Sequence, residues 1–203
     1  MGWTDERDKY QAIATSIEPS AMIMTKDHWL WSAAWWTLAV LTLGLIAIGM
    51  GREKFLTRYA TTLGPFHGYP REWPSLSKRL LTHECRHTTQ FVFAGWFVPV
   101  FGWLFGRRVR AVVGLLPMAI VYGLVVLPIG FAVGRWQLEL DADRTAWRWA
   151  IRNGFSPSWI RQRAADFGAK VCGGPYLWAW LPALGGVKAF TKAADKVIAE
   201  VQP

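Results

Sequence analysis

The sequence predicts an all-α, membrane-associated domain with one N-terminal span and a hydrophobic hairpin set between two polar motifs. Three observations lead there. Of the 203 residues, 52% are hydrophobic and 18% charged, where soluble domains carry roughly 25% charged residues. The chain has 14 Trp, a residue that favours bilayer interfaces. Its apolar residues also gather into runs, the clearest being the uncharged stretch from Trp29 to Met50. That run satisfies the about 20 residues a crossing helix needs.

Residues 1–28 form a polar, slightly acidic segment. Tyr10, Ile13, Ala14 and Ile17 mark a short amphipathic helix that stops before Pro19. The segment is not basic and the first long apolar run begins late, so no signal peptide is expected. Residues 29–50 are the expected transmembrane helix, with Trp29, Trp31, Trp35 and Trp36 loading its first turns. Residues 51–203 follow as one helical domain. Its leading flank carries Arg52, Lys54, Arg58, Arg71, Lys78 and Arg79, which places it on the cytoplasmic side by the positive-inside tendency. Gly64 to Pro70 reads as a loop, and Pro74-Ser75 as a helix start with Ser75 as N-cap.

The apolar stretch 91–133 reads as a hairpin, broken by Pro99 and Gly102 and turning at Gly106 to Arg110. Arg107, Arg108 and Arg110 at that turn fit poorly with a full crossing, because they would lie opposite the other basic loops. A helix over 137–152 ends at Asn153-Gly154, and another starts at Ser156-Pro157 and runs to about Val171. Val187 to Val201 is amphipathic. The net charge of +9 comes without a nucleic-acid motif or a basic face with stacking aromatics. Membrane lipids are the better partner for it, and nucleic acid is not expected. Cys85 and Cys172 make no disulfide framework.

Chemistry concentrates in two places. His83, Glu84 and His87 spell H-E-x-x-H, which on a helix puts both imidazoles on one face with the carboxylate beside them. Such a pair binds zinc, and Glu84 is placed to take a proton from a water on the metal. The cluster Glu139-Leu-Asp-Ala-Asp143 supplies the expected third ligand. Glu139 is preferred, with Asp143 one turn later hydrogen-bonding a ligating histidine or replacing Glu139 as ligand. The bland alternative has these acids pairing with Arg135, Arg144 or Arg148 on an exposed helix. Gln90 falls one turn past His87, where it orients a ligand, touches substrate or simply ends the helix. If His83 and Glu139 share a metal, the chain between them crosses a bilayer twice or not at all.

H-E-x-x-H followed, after two apolar segments, by E-x-x-A-D resembles the gluzincin membrane metallopeptidases of the HtpX and CAAX-prenyl-protease type. The likeness rests on His83, Glu84, His87, Glu139, Ala142 and Asp143. The H-E-x-x-H-x-x-Q form from His83 to Gln90 also resembles small uncharacterised bacterial and phage metallopeptidases, whose length and late Tyr176-Leu-Trp segment suit this chain better. The resemblance implies a Zn2+ site held by His83, His87 and Glu139, with Glu84 as general base and a peptide or protein substrate. It implies a bacterial inner-membrane enzyme with its active site facing the cytoplasm, or a phage-encoded counterpart. The substrate motifs of the larger membrane proteases are absent. A zincin also needs a group to stabilise the oxyanion; Tyr176, Tyr122, His67 and Arg135 are candidates, with Tyr176 preferred.

Two rivals fail on the residues. Membrane di-iron desaturases need far more histidines than the four present. An intramembrane protease of the site-two type would carry an acid within a late span, and Ala111 to Val133 has none. A harder rival is a non-catalytic membrane or virion component whose metal only staples helices. Glu84 separates the two, since a stapling site has no use for it.

Overall fold

The computed structural model describes residues 2–41, 44, 47–48, 50–95, 106–115, 117–118, 133–173 and 186–201. Among them the chain is mostly helical, with one small sheet. A 3-10 turn (Trp3–Glu6) leads into α1 (Arg7–Ile17), β1 (Met22–Thr25), α2 (Trp29–Leu41), α3 (Arg52–Arg58), β2 (Thr61–Leu63) and β3 (Phe66–Tyr69). Then come α4 (Lys78–Gly95), α5 (Arg107–Val113), α6 (Val133–Arg152), α7 (Pro157–Val171) and α8 (Gly186–Val201).

Local signals set several of these boundaries. Tyr10 and Ala14 are the buried stripe of α1. Gly154, at φ +85°, closes α6, and Ser156 caps α7 by accepting the Trp159 N–H at 3.2 Å. Helix α4 begins later than expected. It is Ser77, not Ser75, that sits at the cap, accepting the Leu80 N–H on its hydroxyl at 3.2 Å and the Leu81 N–H on its carbonyl at 3.0 Å.

The mostly helical structure agrees with the all-α expectation and adds one small sheet that the sequence did not signal. Its order is β1-β3-β2, with β1 parallel and β2 antiparallel to the central strand. The expected loop from Gly64 to Pro70 therefore contains strand β3. Its Gly and Pro content reflects a tight reversal, since Leu63 pairs with Phe66 across Gly64-Pro65 and Gly64 sits at φ +58°. Gly68 has a packing reason: a Cβ there would strike the Trp31 indole, which lies against the sheet.

The expected span over 29–50 is not one continuous helix among the described residues, and its positions 42, 43, 45, 46 and 49 lie outside them. Helix α2 stops after 13 residues, and Gly44 takes the left-handed conformation at φ +81° while donating to the Ala39 carbonyl at 2.7 Å. Trp35 Nε1 then donates to the Met50 carbonyl at 3.2 Å, and Arg52 donates to the Ser32 hydroxyl at 2.9 Å. One straight helix would set those pairs roughly 20–30 Å apart. Among the described residues no helix is long and apolar enough to cross a membrane.

Of the expected hairpin 91–133, residues 96–105, 116 and 119–132 lie outside the described residues. The part that is described folds back on α4. A Cβ at Gly95 would strike the Arg110 carbonyl, and one at Gly114 would strike the Phe91 carbonyl. Arg107, expected at a remote turn, instead makes two hydrogen bonds to Glu18, at 2.6 and 2.7 Å. Glu18 also accepts from Thr89 of α4 at 2.9 Å. Arg107 thus ties this turn to the N-terminal segment. Burial alone would raise the Glu18 carboxyl, but hydrogen bonds from Arg107, Ser20 and Thr89 outweigh it and hold it at about 2.

Two cores flank α4. One joins α1, the sheet and α4 through Trp3, Tyr69, Leu81 and Cys85; the other joins α6, α7 and α8 through Trp147, Ile160, Phe190 and Val197. Cys85 is fully buried, with Ala14 O its nearest acceptor at 3.6 Å, consistent with a packing role.

Gly114→Ala should cost about 1–3 kcal/mol by forcing α5 away from α4, read as a lower urea midpoint. Glu18 has a folded value below its ordinary 4.5, so its contribution is complete above 4.5 and disappears as pH falls toward 2. With half-exposed Arg107 discounted for solvent screening, that contribution is roughly 1–3 kcal/mol. Glu18→Gln should lose stability at pH 7 and show a flatter acid decline in urea unfolding between pH 6 and pH 3.

Candidate metal centre

The α-helical repeat does what the spacing requires: on α4 it puts His83 and His87 on the face that meets α6. Glu139 lies on the facing side of α6, and all three residues are buried, each 7% exposed. Their ligand atoms converge. His83 Nε2 and His87 Nε2 are 3.1 Å apart, and Glu139 Oε2 lies 3.5 Å from each. A triangle with those edges has a point about 2.0 Å from every corner, which is the reach of a zinc–nitrogen or zinc–oxygen bond. These residues are the one group of three or more possible ligands that converges among the described residues.

The outer nitrogens decide the protonation of the inner ones. His83 Nδ1 faces Asp143 Oδ1 at 3.1 Å, a carboxylate that can only accept when ionised, so Nδ1 carries the proton. His87 Nδ1 faces Gln90 Oε1 at 2.9 Å. The orientation of that amide is fixed by its other end, since Gln90 Nε2 donates to the Leu138 carbonyl at 3.0 Å and to Asp141 Oδ2 at 2.9 Å. His87 Nδ1 is therefore also a donor. With both outer positions protonated, two Nε2 lone pairs are left pointing at one buried spot beside a carboxylate. Only a cation, or a proton in its place, makes that arrangement stable.

The ionisation of the site agrees. Burial would lower His83, but hydrogen bonds to Asp143 and Glu139 and the charge of Glu84 raise it to about 10. His87 is raised in the same way: burial is outweighed chiefly by Glu139. The carboxyl of Glu139 is held well below the usual range, because the two imidazoles outweigh the effect of burial. Phe167 of α7 stacks edge-on against the His83 ring at 5.8 Å and closes that side.

Glu84 is buried on the same helix and is not one of the convergent ligands. Its Oε2 accepts a 2.6 Å hydrogen bond from Thr62 of strand β2. That bond occupies one carboxylate oxygen and leaves Oε1 free of it. Thr62, Arg86 and Asp141 are the supporting residues that the sequence did not single out. Arg86 donates to Asp141 at 2.6 Å, and Asp141 in turn holds Gln90. Asp141 points away from the ligand atoms, as its register implies, yet it supports the site through that amide. An arginine inside the H-E-x-x-H and an acid two residues past Glu139 are the signal for this pair; a threonine in a short strand carries none.

His67 is removed from the oxyanion candidates. Thr88 gives its hydroxyl proton to the Gly64 carbonyl at 2.9 Å, so the 2.7 Å contact between His67 Nε2 and Thr88 uses the His67 N–H. Burial lowers His67 to about 3 and keeps it neutral. Tyr176, Tyr122 and the Arg135 side chain lie outside the described residues. Comparison with protein-family models, curated proteins and solved structures gives no match.

Two outcomes test the geometry. Asp143→Asn should weaken metal binding about 10–100-fold while leaving one equivalent bound at saturation, as loss of an orienting partner does. Metal must displace the proton that His83 holds up to about 10, so affinity should rise with pH through the neutral range. Titration calorimetry in buffers of different ionisation enthalpy reads both the affinity and the protons released.

Proposed function

We propose that the protein is a zinc-dependent hydrolase and that its substrate is a peptide bond. The observation that carries the reading is Glu84, a buried carboxylate on the helix of two convergent imidazoles, tied by Thr62 to a sheet edge. Two neutral imidazoles and one carboxylate oxygen are a donor set that suits zinc, and three protein ligands leave a fourth position open. Zinc bound there supplies Lewis acidity toward a water and a substrate carbonyl.

The chain's own residues do the rest. Asp143 and Gln90 hold the two imidazoles with Nε2 inward. Glu84 Oε1 receives the water proton while Oε2 stays fixed on Thr62. Glu84 later returns that proton to the leaving amine. The peptide assignment rests on strand β2. Among the described residues it pairs only with β3, and Thr62 sets it beside Glu84, so an extended substrate can add to its outer edge by backbone hydrogen bonds.

A site that merely joined α4 to α6 would need the three ligands and their supports but not Glu84. Glu84→Gln keeps the shape and the Thr62 contact while removing the base. It should retain one zinc and lose about 10²–10⁴-fold in peptide hydrolysis, measured with a quenched fluorescent peptide library. Unchanged hydrolysis in that variant would overturn the mechanism, and absence of zinc-dependent hydrolysis in the parent protein would favour the stapling role.

A further inference from the structure

We infer that α2 and the residues returning from it, 47, 48 and 50, form a docking element for an anionic lipid surface, entering one leaflet without crossing it. The inference is independent of any catalytic activity. Helix α2 has two apolar faces. One is used internally: Trp31 and Trp35 are buried against Met50 and Phe55. The other face carries Trp29, Ala33, Trp36 and Val40 at helical spacing, and it is exposed. Trp29 is 70%, Trp36 59% and Val40 73% exposed, and Ile48 on the returning segment is 76% exposed.

An exposed apolar surface of this kind needs an occupant, and three observations name a lipid surface. The sequence has no charged residue from Trp29 to Met50, which a soluble partner does not require but a hydrocarbon interior does. The next turn is basic and exposed, with Arg52, Lys54 and Arg58 on α3. It lies at the foot of the apolar element, because Arg52 reaches Ser32 and Met50 meets Trp35. That order, apolar surface above and cations at its base, complements acyl chains beneath anionic headgroups. The same two contacts hold residue 32 to 52 and residue 35 to 50, so both feet of the element stand on one side of the membrane.

The test uses the full chain and sealed phosphatidylglycerol–phosphatidylcholine vesicles. The protein should float with these vesicles, with less recovered as salt rises and less on phosphatidylcholine alone. Trp36→Glu with Val40→Glu should weaken partition at least about tenfold; both side chains are exposed, so the fold should survive, checked by an unchanged circular dichroism spectrum. Lys54→Glu with Arg58→Glu should weaken binding to the anionic vesicles only. Single cysteines in place of His28 and Lys54 should both react with an impermeant maleimide added outside. Protection of one of the two would show a crossing and overturn the inference. So would partition unchanged by the Trp36 and Val40 substitutions, or a lipid-free dimer that those substitutions dissociate, which would make a second copy the occupant.

Discussion

Helices α4 and α6 meet along a polar seam, and each buried group near it depends on the seam being fully satisfied. His83 leans on Asp143, His87 on Gln90, Gln90 on Asp141, and Asp141 on Arg86. In a low-dielectric interior each of these groups is costly alone and favourable only in company. The chain of bonds also removes rotational freedom from both imidazoles. Two Nε2 atoms and the Glu139 Oε2 are left facing one another across one buried spot. The seam therefore accounts for the register in which the two helices pack and for the three ligand atoms that could hold a metal ion between them.

The surrounding fold serves this seam from outside. The sheet stands on the other side of α4, where Thr62 fixes Glu84 and Thr88 fixes His67. Helix α5 lies close enough to α4 that Gly95 and Gly114 have no room for a side chain. Glu18, itself buried, ties the N-terminal segment to α4 and to Arg107. Phe167 and Phe190 carry the core of α6, α7 and α8 up to the His83 ring. Four elements distant in sequence thus hold a single helix in place.

The parts legible in the sequence were those set by short-range rules. The i, i+4 histidines, the Glu139–Asp143 spacing, the Ser156 cap and the Gly154 stop are all local, and the structure places each where its spacing implies. Glu139 was readable from its place in the acidic cluster Glu139 to Asp143, downstream of the H-E-x-x-H. The sheet was not, since its strands have three or four residues and its central strand pairs on one side with a strand more than forty positions away. The uncharged run 29–50 was long enough to cross a membrane by count alone. Composition does not register that Gly44 reverses the chain or that Trp35 meets Met50. Gly106 to Arg110 resisted a topological reading for a similar reason: its partner, Glu18, lies 89 positions away.

The central claim is that one metal ion sits between α4 and α6 on two imidazole nitrogens and one carboxylate oxygen. X-ray absorption at the zinc edge, on protein loaded with one equivalent, reads that arrangement directly. The account predicts a first shell of nitrogen and oxygen only, at about 2.0–2.1 Å with two imidazole scattering patterns, the fourth position filled by water. A sulfur shell near 2.3 Å would bring in Cys85 or Cys172 and contradict it, as would a single imidazole or the absence of stoichiometric zinc.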